Sequence, residues 1–327
     1  MKRRDFLKGI VGGCATAAAS MSGAAQARGN NPRMPNAVGL LFDSTLCVGC
    51  KACVTACKQA NGKVLDVPAD MPYLDRTKHL SPDALNVIKI YENGSADRKD
   101  RKIDGFAFQK QSCMHCVDPS CVSVCPVQAL VKEEGTGVVT YDKDACIGCR
   151  YCVASCPFQI PKFNYDSPFP EIHKCQLCNH LWSENKFSAC ADVCPTGATL
   201  YGPVEKLQQE AQRRKSLKPG EITQFPRRHV EGGEFARKQK VAQYVDNVYG
   251  EKEGGGTQML MLSGVPFDDL GLPDLPERSS ASVSETIQHT LYDGLIAPAV
   301  ILAGLVGVAY RNTKGHDVEE LEESSHE

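Results

Sequence analysis

The sequence predicts an α+β fold in which a cysteine-rich unit occurs in two tandem copies with insertions, followed by a C-terminal transmembrane helix. Three observations predict it. Residues 42–57 (FDSTLCVGCKACVTAC) align with residues 141–156 (YDKDACIGCRYCVASC) when the chain is slid by 99 positions, which is an internal repeat. Of the 17 cysteines, all but Cys14 fall into four sets of four. Near the C-terminus, residues 291–310 carry one charge, Asp293, and at about 1.5 Å per residue such a run just crosses a hydrocarbon core.

The third cysteine set states the chemistry most clearly. Cys146, Cys149 and Cys152 are spaced three apart, and Cys156 follows four residues on, ahead of Pro157. That is the ligand run of bacterial ferredoxins, which hold [4Fe-4S] clusters. Gly148 lets the loop curl around one cluster. The fourth thiol is expected to start a helix that points away, so that it serves the neighbouring cluster. The expected fold is therefore tandem bacterial-ferredoxin-like [4Fe-4S] domains with insertions.

Taken in order, the chain opens with consecutive arginines, Arg3 and Arg4, ahead of an Ala/Gly-rich run ending in Ala25-Gln26-Ala27. These are the parts of a twin-arginine export signal over residues 1–27. Its removal leaves 33 basic against 38 acidic residues, a charge of −5. No basic face or arm stands out, so nucleic acid is excluded as a partner. Residues 28–202 form the predicted four-cluster core. It starts with a strand at 38–42, which leads into Cys47, Cys50, Cys53 and Cys57. A polar insertion, 62–105, holds a strand at 87–91 and precedes another at 106–110. Its charge run at 97–102 reads as a solvated loop.

Cys113, Cys116, Cys121 and Cys125 form the second set, widened in the middle by two residues, and a hairpin joins 131–132 to 138–141. The fourth set, Cys175, Cys178, Cys190 and Cys194, holds the lone Trp182 in its long gap. Packing and partner contact are both open for that side chain. A strand at 198–201 and a helix opened by Pro203, with Val204, Leu207 and Ala211 on one face, come next. They begin an extension and linker over 203–284, irregular and basic at 217–249, with a strand at 259–262 packed on the core. Residues 285–310 are the predicted membrane anchor. Arg311 and Lys314 put its end on the cytoplasmic side, with an acidic tail at 311–327.

Other readings of sixteen cysteines fit less well. A disulfide framework does not require thiols at i, i+3 and i+6 twice over. Zinc ribbons use C-x2-C pairs with no fourth cysteine before proline. Attached haem is excluded because Asn179 separates Cys178 from His180. His115 and His173 sit beside ligands, where a hydrogen bond to backbone or cluster sulfur explains them better than iron ligation. Lys51 and Arg150 occupy equivalent places in the two repeats, to raise a cluster potential or to solvate the surface.

The four sets in this order resemble the four-cluster electron-transfer subunits of membrane-bound oxidoreductases, such as the beta subunits of formate dehydrogenase and dimethyl sulfoxide reductase. The twin-arginine leader, the segment GGGTQMLMLSGVP (254–266), the segment IQHTLY (287–292) and the C-terminal anchor are similar to the hydrogenase-2 branch of that family. The resemblance implies that the sets cross-ligate, first with fourth and second with third. One cluster then takes Cys47, Cys50, Cys53 and Cys194, and its pair Cys57, Cys175, Cys178 and Cys190. Another takes Cys113, Cys116, Cys121 and Cys156, and the last Cys125, Cys146, Cys149 and Cys152. It further implies a periplasm-facing relay with no catalytic site of its own. Its partners would be the small and large subunits of a nickel-iron hydrogenase and an integral membrane subunit that reacts with quinone. The alternative is the same relay for a molybdenum oxidoreductase such as formate dehydrogenase.

Overall fold

The computed structural model describes residues 28–313, apart from 69, 72–74, 168–170, 185 and 187. The predicted leader, 1–27, and all but the first residues of the acidic tail lie outside the described residues. In chain order the elements are β1 Val38–Asp43, α1 Ala52–Ala60, β2 Asn86–Glu92, β3 Arg98–Lys99, β4 Gly105–Ser112, α2 Ser120–Ser123, β5 Leu130–Lys132 and β6 Val139–Tyr141. They continue with α3 Tyr151–Ser155, β7 Lys162–Phe163, β8 Ile172–His173, α4 Ala189–Asp192, β9 Thr199–Pro203, α5 Val204–Ser216 and β10 Ile222–Phe225. Last come β11 Arg228–His229, β12 Arg237–Lys240, β13 Met259–Leu262 and α6 Ser280–Thr313.

The organising sheet has the strand order β11-β9-β1-β13. Its central strand, β1, runs antiparallel to β9, with Leu40 opposite Tyr201, and parallel to β13, with Leu40 opposite Met259. A strand apolar at consecutive positions is buried on both faces, and the two faces here do different work. Leu40, Phe42, Tyr201, Met259 and Met261 pack with the cysteines of the main core. Leu41, Leu200, Leu260 and Leu262 pack instead against Val204, Leu207 and Ala211 of α5. The sheet thus divides a thiol-bearing core from a plain aliphatic one.

At the end of β1 a buried ion network ties α5 to the first cysteine loop. Arg214 and Asp43 are both fully buried and meet at 2.8 Å, and Arg214 Nε reaches Glu210 at 2.8 Å. Tyr244 donates to the same Asp43 oxygen at 2.8 Å. The other Asp43 oxygen accepts from Thr45 N at 3.0 Å and from the Thr45 hydroxyl at 2.7 Å. The turn into Cys47 is therefore anchored through one carboxylate.

Several sequence expectations need correction. The fourth thiol of a run does not start a helix. Cys53, Cys121, Cys152 and Cys190 lie near the starts of α1, α2, α3 and α4, and the fourth thiol comes at or beyond the last turn. The 97–102 run is not merely solvated, because Lys99 donates to the carbonyls of Ser44 and Thr45 at 3.1 and 2.6 Å. The 217–249 stretch is not irregular, since β10 and β12 pair from Ile222 opposite Lys240 to Phe225 opposite Arg237. Only Phe225 in that hairpin is buried, so no apolar alternation advertised it.

The largest correction concerns the anchor. Among the described residues no helix is long and apolar enough to cross a membrane, which overturns the transmembrane helix expected at 285–310. Helix α6 is continuous through that run, but it begins with Ser280, Ser282, Ser284 and Glu285 and contains Pro298. Polar residues run through its first turns, from Ser280 by way of Gln288 and His289 to Thr290, and Asp293 follows. Residues 29–282 form one compact unit, and Arg28 and residues 283–313 belong to a second. Within the second, Arg28 pairs with Glu285 at 2.6 Å.

The Arg214→Met variant leaves Asp43 and Glu210 without their buried counter-charge, and a loss of about 3–5 kcal/mol is expected, measured as a lower denaturant midpoint. Burial alone would raise the Glu210 carboxyl, but hydrogen bonds from Arg213 and the charge of Arg214 outweigh it and hold it below the ordinary carboxylate value. The folded state then takes up this proton later than the unfolded chain. Its stabilisation is complete above the unfolded value and is lost as pH falls through the lowered folded one. Glu210→Gln should flatten the acid limb of the stability curve relative to the unsubstituted protein.

Candidate iron-sulfur sites

Each cysteine loop is shaped by its backbone before any thiol is considered. In the two repeats an aspartate after a strand closes a short turn. Thr45 N donates to Asp43 Oδ1 at 3.0 Å, and Asp144 N donates to Asp142 Oδ1 at 2.9 Å. Gly49 and Gly148 then take φ of +68° and +70°, and Lys51 and Arg150 take φ of +57° and +63° just before α1 and α3. A Cβ at Gly49 would stand 2.3 Å from Phe108 Cε1. Turns of this kind aim successive N–H groups inward. Gly148 N lies 3.4 Å from Cys146 Sγ, and Leu177 N lies 3.3 Å from Cys175 Sγ.

All sixteen described cysteines are unpaired thiols, and only Cys50 and Cys149 are exposed. Thiols distant in sequence gather together. Cys47, Cys50, Cys53 and Cys194 line one partly open pocket. Cys125, Cys146, Cys149 and Cys152 line another. Cys175 feels the charges of Cys57, Cys178, Cys190 and Cys113, and Cys116 those of Cys121, Cys113 and Cys156. Each of the two pockets draws three thiols from one set and one from another.

Burial dominates the electrostatics. It pushes the Cys47, Cys57 and Cys121 thiols up to about 12 and those of Cys53 and Cys152 up to about 11, with neighbouring thiols adding to the effect. Against this accumulation of potential negative charge stand lysines that the sequence reading missed. Lys110 is fully buried, and its Nζ donates to Asn86 Oδ1 at 2.9 Å. Burial alone would lower it, yet the charges of Cys190, Cys53, Cys57 and Cys175 leave it raised. Lys174 is buried and donates to the carbonyls of Val139 and Cys175. Lys132 donates to the carbonyls of Cys116 and Gly137 at 2.9 and 2.6 Å, and burial brings it down to about 8. A lysine three residues before Cys113 was the available signal for Lys110, but a lysine in a strand reads as exposed.

The residues left open by sequence now have partners. His115 Nδ1 accepts from Val139 N at 3.1 Å, and His173 Nδ1 stands 3.2 Å from Lys63 Nζ. Burial, with the charges of Lys174 and Lys132, pushes His115 well below its usual value, which keeps its ring neutral. Trp182 is half-buried against the main core, 6.4 Å from the Tyr201 ring. Lys51 reaches the carbonyl of Thr77 at 3.4 Å, and Arg150 lies over Phe163 at 5.5 Å.

These sites fit a polynuclear iron-sulfur group. Four thiolates around one zinc at 2.3 Å would lie about 3.8 Å apart. Among the described residues no three His, Cys, Asp or Glu side chains are placed to hold a single metal ion. Two of the thiol groups line pockets instead. Two buried ring nitrogens, His115 Nε2 and Trp182 Nε1, have no hydrogen-bond partner among the described residues. Orphaned N–H donors suit a group that brings acceptor sulfurs.

Comparison with known proteins agrees with this chemistry. Residues 105–204 match the 4Fe-4S dicluster domain. The chain is 45% identical over 323 residues to the hydrogenase-2 operon protein HybA of Escherichia coli O157:H7, covering 97% of this chain and 98% of that relative. The HybA protein of Shigella flexneri matches to the same extent. The formate dehydrogenase iron-sulfur subunit of Haemophilus influenzae is 30% identical over 293 residues, covering 88% and 84%.

Gly49→Val adds a branched side chain at positive φ where Phe108 already sits, so the first cysteine loop cannot keep its shape. The expected outcome is lower iron and acid-labile sulfide per chain with the other clusters' paramagnetic signals retained. Unchanged iron content would show that this loop geometry is dispensable.

Proposed function

The chain belongs to the family of the hydrogenase-2 operon protein HybA and is an iron-sulfur electron-transfer subunit that carries [4Fe-4S] clusters, and from that premise we propose a specific relay. It holds four clusters and passes electrons between the small and large subunits of a nickel-iron hydrogenase and a quinone-reactive integral membrane subunit. It has no catalytic site of its own. It works on the periplasmic side of the bacterial inner membrane, exported by the twin-arginine route, and meets the membrane through that integral subunit.

The ligand sets of the proposal are Cys47, Cys50, Cys53 and Cys194; Cys57, Cys175, Cys178 and Cys190; Cys113, Cys116, Cys121 and Cys156; and Cys125, Cys146, Cys149 and Cys152. The observation that carries it is that these four sets join end to end. Cys53 of the first packs in one buried cluster with Cys190 and Cys175 of the second and Cys113 of the third, and Cys121 of the third packs with Cys152 of the fourth. Cys175 of the second feels Cys113 of the third, and Cys121 of the third feels Cys152 of the fourth. The exposed thiols, Cys50 and Cys149, belong to the first and the fourth. A line of sites with its two ends at the surface is what a wire between two partners requires.

A [4Fe-4S] cluster bound in each site takes up and returns one electron with little rearrangement. The chain's own residues do the rest. The thiols fix positions, the inward N–H groups of Gly148 and Leu177 favour the more negative state, and the apolar core keeps water away. In domain terms, residues 28–202 are the cluster-bearing core with its insertion at 62–105, and residues 203–284 are the extension whose strands β11 and β13 complete the central sheet and whose helix α5 covers one face of it.

The likeness to a formate dehydrogenase iron-sulfur subunit supports a second reading, the same relay serving a molybdenum enzyme. Affinity purification from membranes separates the two by the catalytic subunits that come along. In the hydrogenase reading, Cys149→Ser abolishes hydrogen oxidation linked to quinone and leaves hydrogenase activity with a soluble dye. Persistence of the quinone-linked activity in that variant, with its cluster lost, would sink the relay.

A further inference from the structure

Lys110 stands in an unusual place for a lysine. It lies on β4, where Gln109 and Lys110 are both buried in succession, at 4% and 0% exposure. Strand alternation would turn one of them to solvent. Its described hydrogen-bond partner is Asn86 on the paired strand β2, at 2.9 Å. Asn86 is itself buried and donates its amide to the Cys53 carbonyl at 3.1 Å. The amide is thereby turned so that its oxygen faces the ammonium. Among the described residues no carboxylate pairs with Lys110. A buried ammonium without a counter-ion is strongly disfavoured, so something else of negative charge must offset it.

The surroundings identify that charge. The thiols that act on Lys110 are Cys53 of one set and Cys57, Cys175 and Cys190 of another, and all four pack in the same buried cluster. They belong to the two adjoining ligand sets proposed above. We propose that Lys110, oriented by Asn86, is the shared electrostatic control of these two clusters, raising the reduction potential of both and holding the first joint of the wire open to electrons. The inference rests on the four-cluster reading. Its physical basis is that a cluster with four thiolates is already anionic and becomes more so on reduction. A fixed cation in a low-dielectric core therefore favours the reduced form over the oxidised one. Acting on two such anions at once, it also screens each from the other, so that reducing one opposes reducing its neighbour less. The site of Cys125, Cys146, Cys149 and Cys152 is the internal control, since the charges that act on Cys152 are those of its own three neighbours.

The test is a redox titration of the full chain, followed by electron paramagnetic resonance, for Lys110→Met, Lys110→Arg and Asn86→Asp. Methionine keeps the volume and removes the charge, and aspartate at 86 sets a carboxylate against the ammonium and neutralises it without emptying the core. In Lys110→Met and Asn86→Asp, two of the four midpoints should fall while that of the Cys149 cluster stays. Lys110→Arg should keep all four near the original values, with iron and sulfide content unchanged throughout. Cluster-loaded Lys110→Met or Asn86→Asp protein with unmoved midpoints overturns the proposal, as does an equal shift of all four. Failure of both Lys110→Met and Asn86→Asp to load clusters overturns it too, because the pair is then a packing element. Absence of iron and sulfide from the unsubstituted protein defeats the four-cluster reading itself, a different result.

Discussion

Thiols cannot be packed together in an apolar core as thiolates unless positive charge is packed with them. That constraint shapes most of what surrounds the sixteen cysteines. Burial raises the thiols, and metal supplies the compensation when it binds, since a coordinating thiol gives up its proton. The protein supplies more of it through Lys110, Lys132 and Lys174, none of which is turned to solvent. Inward N–H groups at the turns add a smaller contribution of the same sign. The core is thus a charge-balanced assembly and not an aliphatic one, although by composition its residues count as apolar.

Such an assembly needs a frame that does not depend on it, and the central sheet provides one. Strand β1 carries thiol-facing and helix-facing side chains in strict alternation, so one short segment positions the first cysteine loop and seals the aliphatic layer beneath it. Asp43 joins the two functions. Its carboxylate caps the turn into Cys47 on one oxygen and holds Arg214 on the other. The arginine is in turn anchored by Glu210 of the same helix. A buried pair of this kind contributes little net stability but fixes a register, and here the register is that of the loop around a cluster.

The duplication also looks different in three dimensions. The repeat preserves the aspartate turn, the left-handed glycine, and the basic residue before the helix. The two copies nevertheless sit in unlike surroundings. Lys51 is tied to a backbone carbonyl of the insertion and Arg150 to a pair of aromatic rings. Equivalent positions in a repeat therefore need not do equivalent work. The first copy's loop is backed by Phe108 and the sheet, and the second by the small β5-β6 hairpin cluster around Leu130 and Val139.

What the sequence determined by itself was everything carried by spacing and period. The four cysteine sets, the repeat, the strands at 38–42, 87–91, 106–110 and 259–262, and the amphipathic helix after Pro203 were legible because local geometry demands those patterns. Tertiary structure alone decided which lysines lie inside, how a polar stretch such as β10 and β12 pairs, and how Lys99 leaves its charge run to hold a loop. The 291–310 run shows the same limit from the other side. Counting charges made it a membrane span, whereas length and apolarity taken over the described helix do not reach one. Period and spacing are properties of neighbours along the chain, but burial and charge compensation are properties of neighbours in space, and those exist only once the chain has folded.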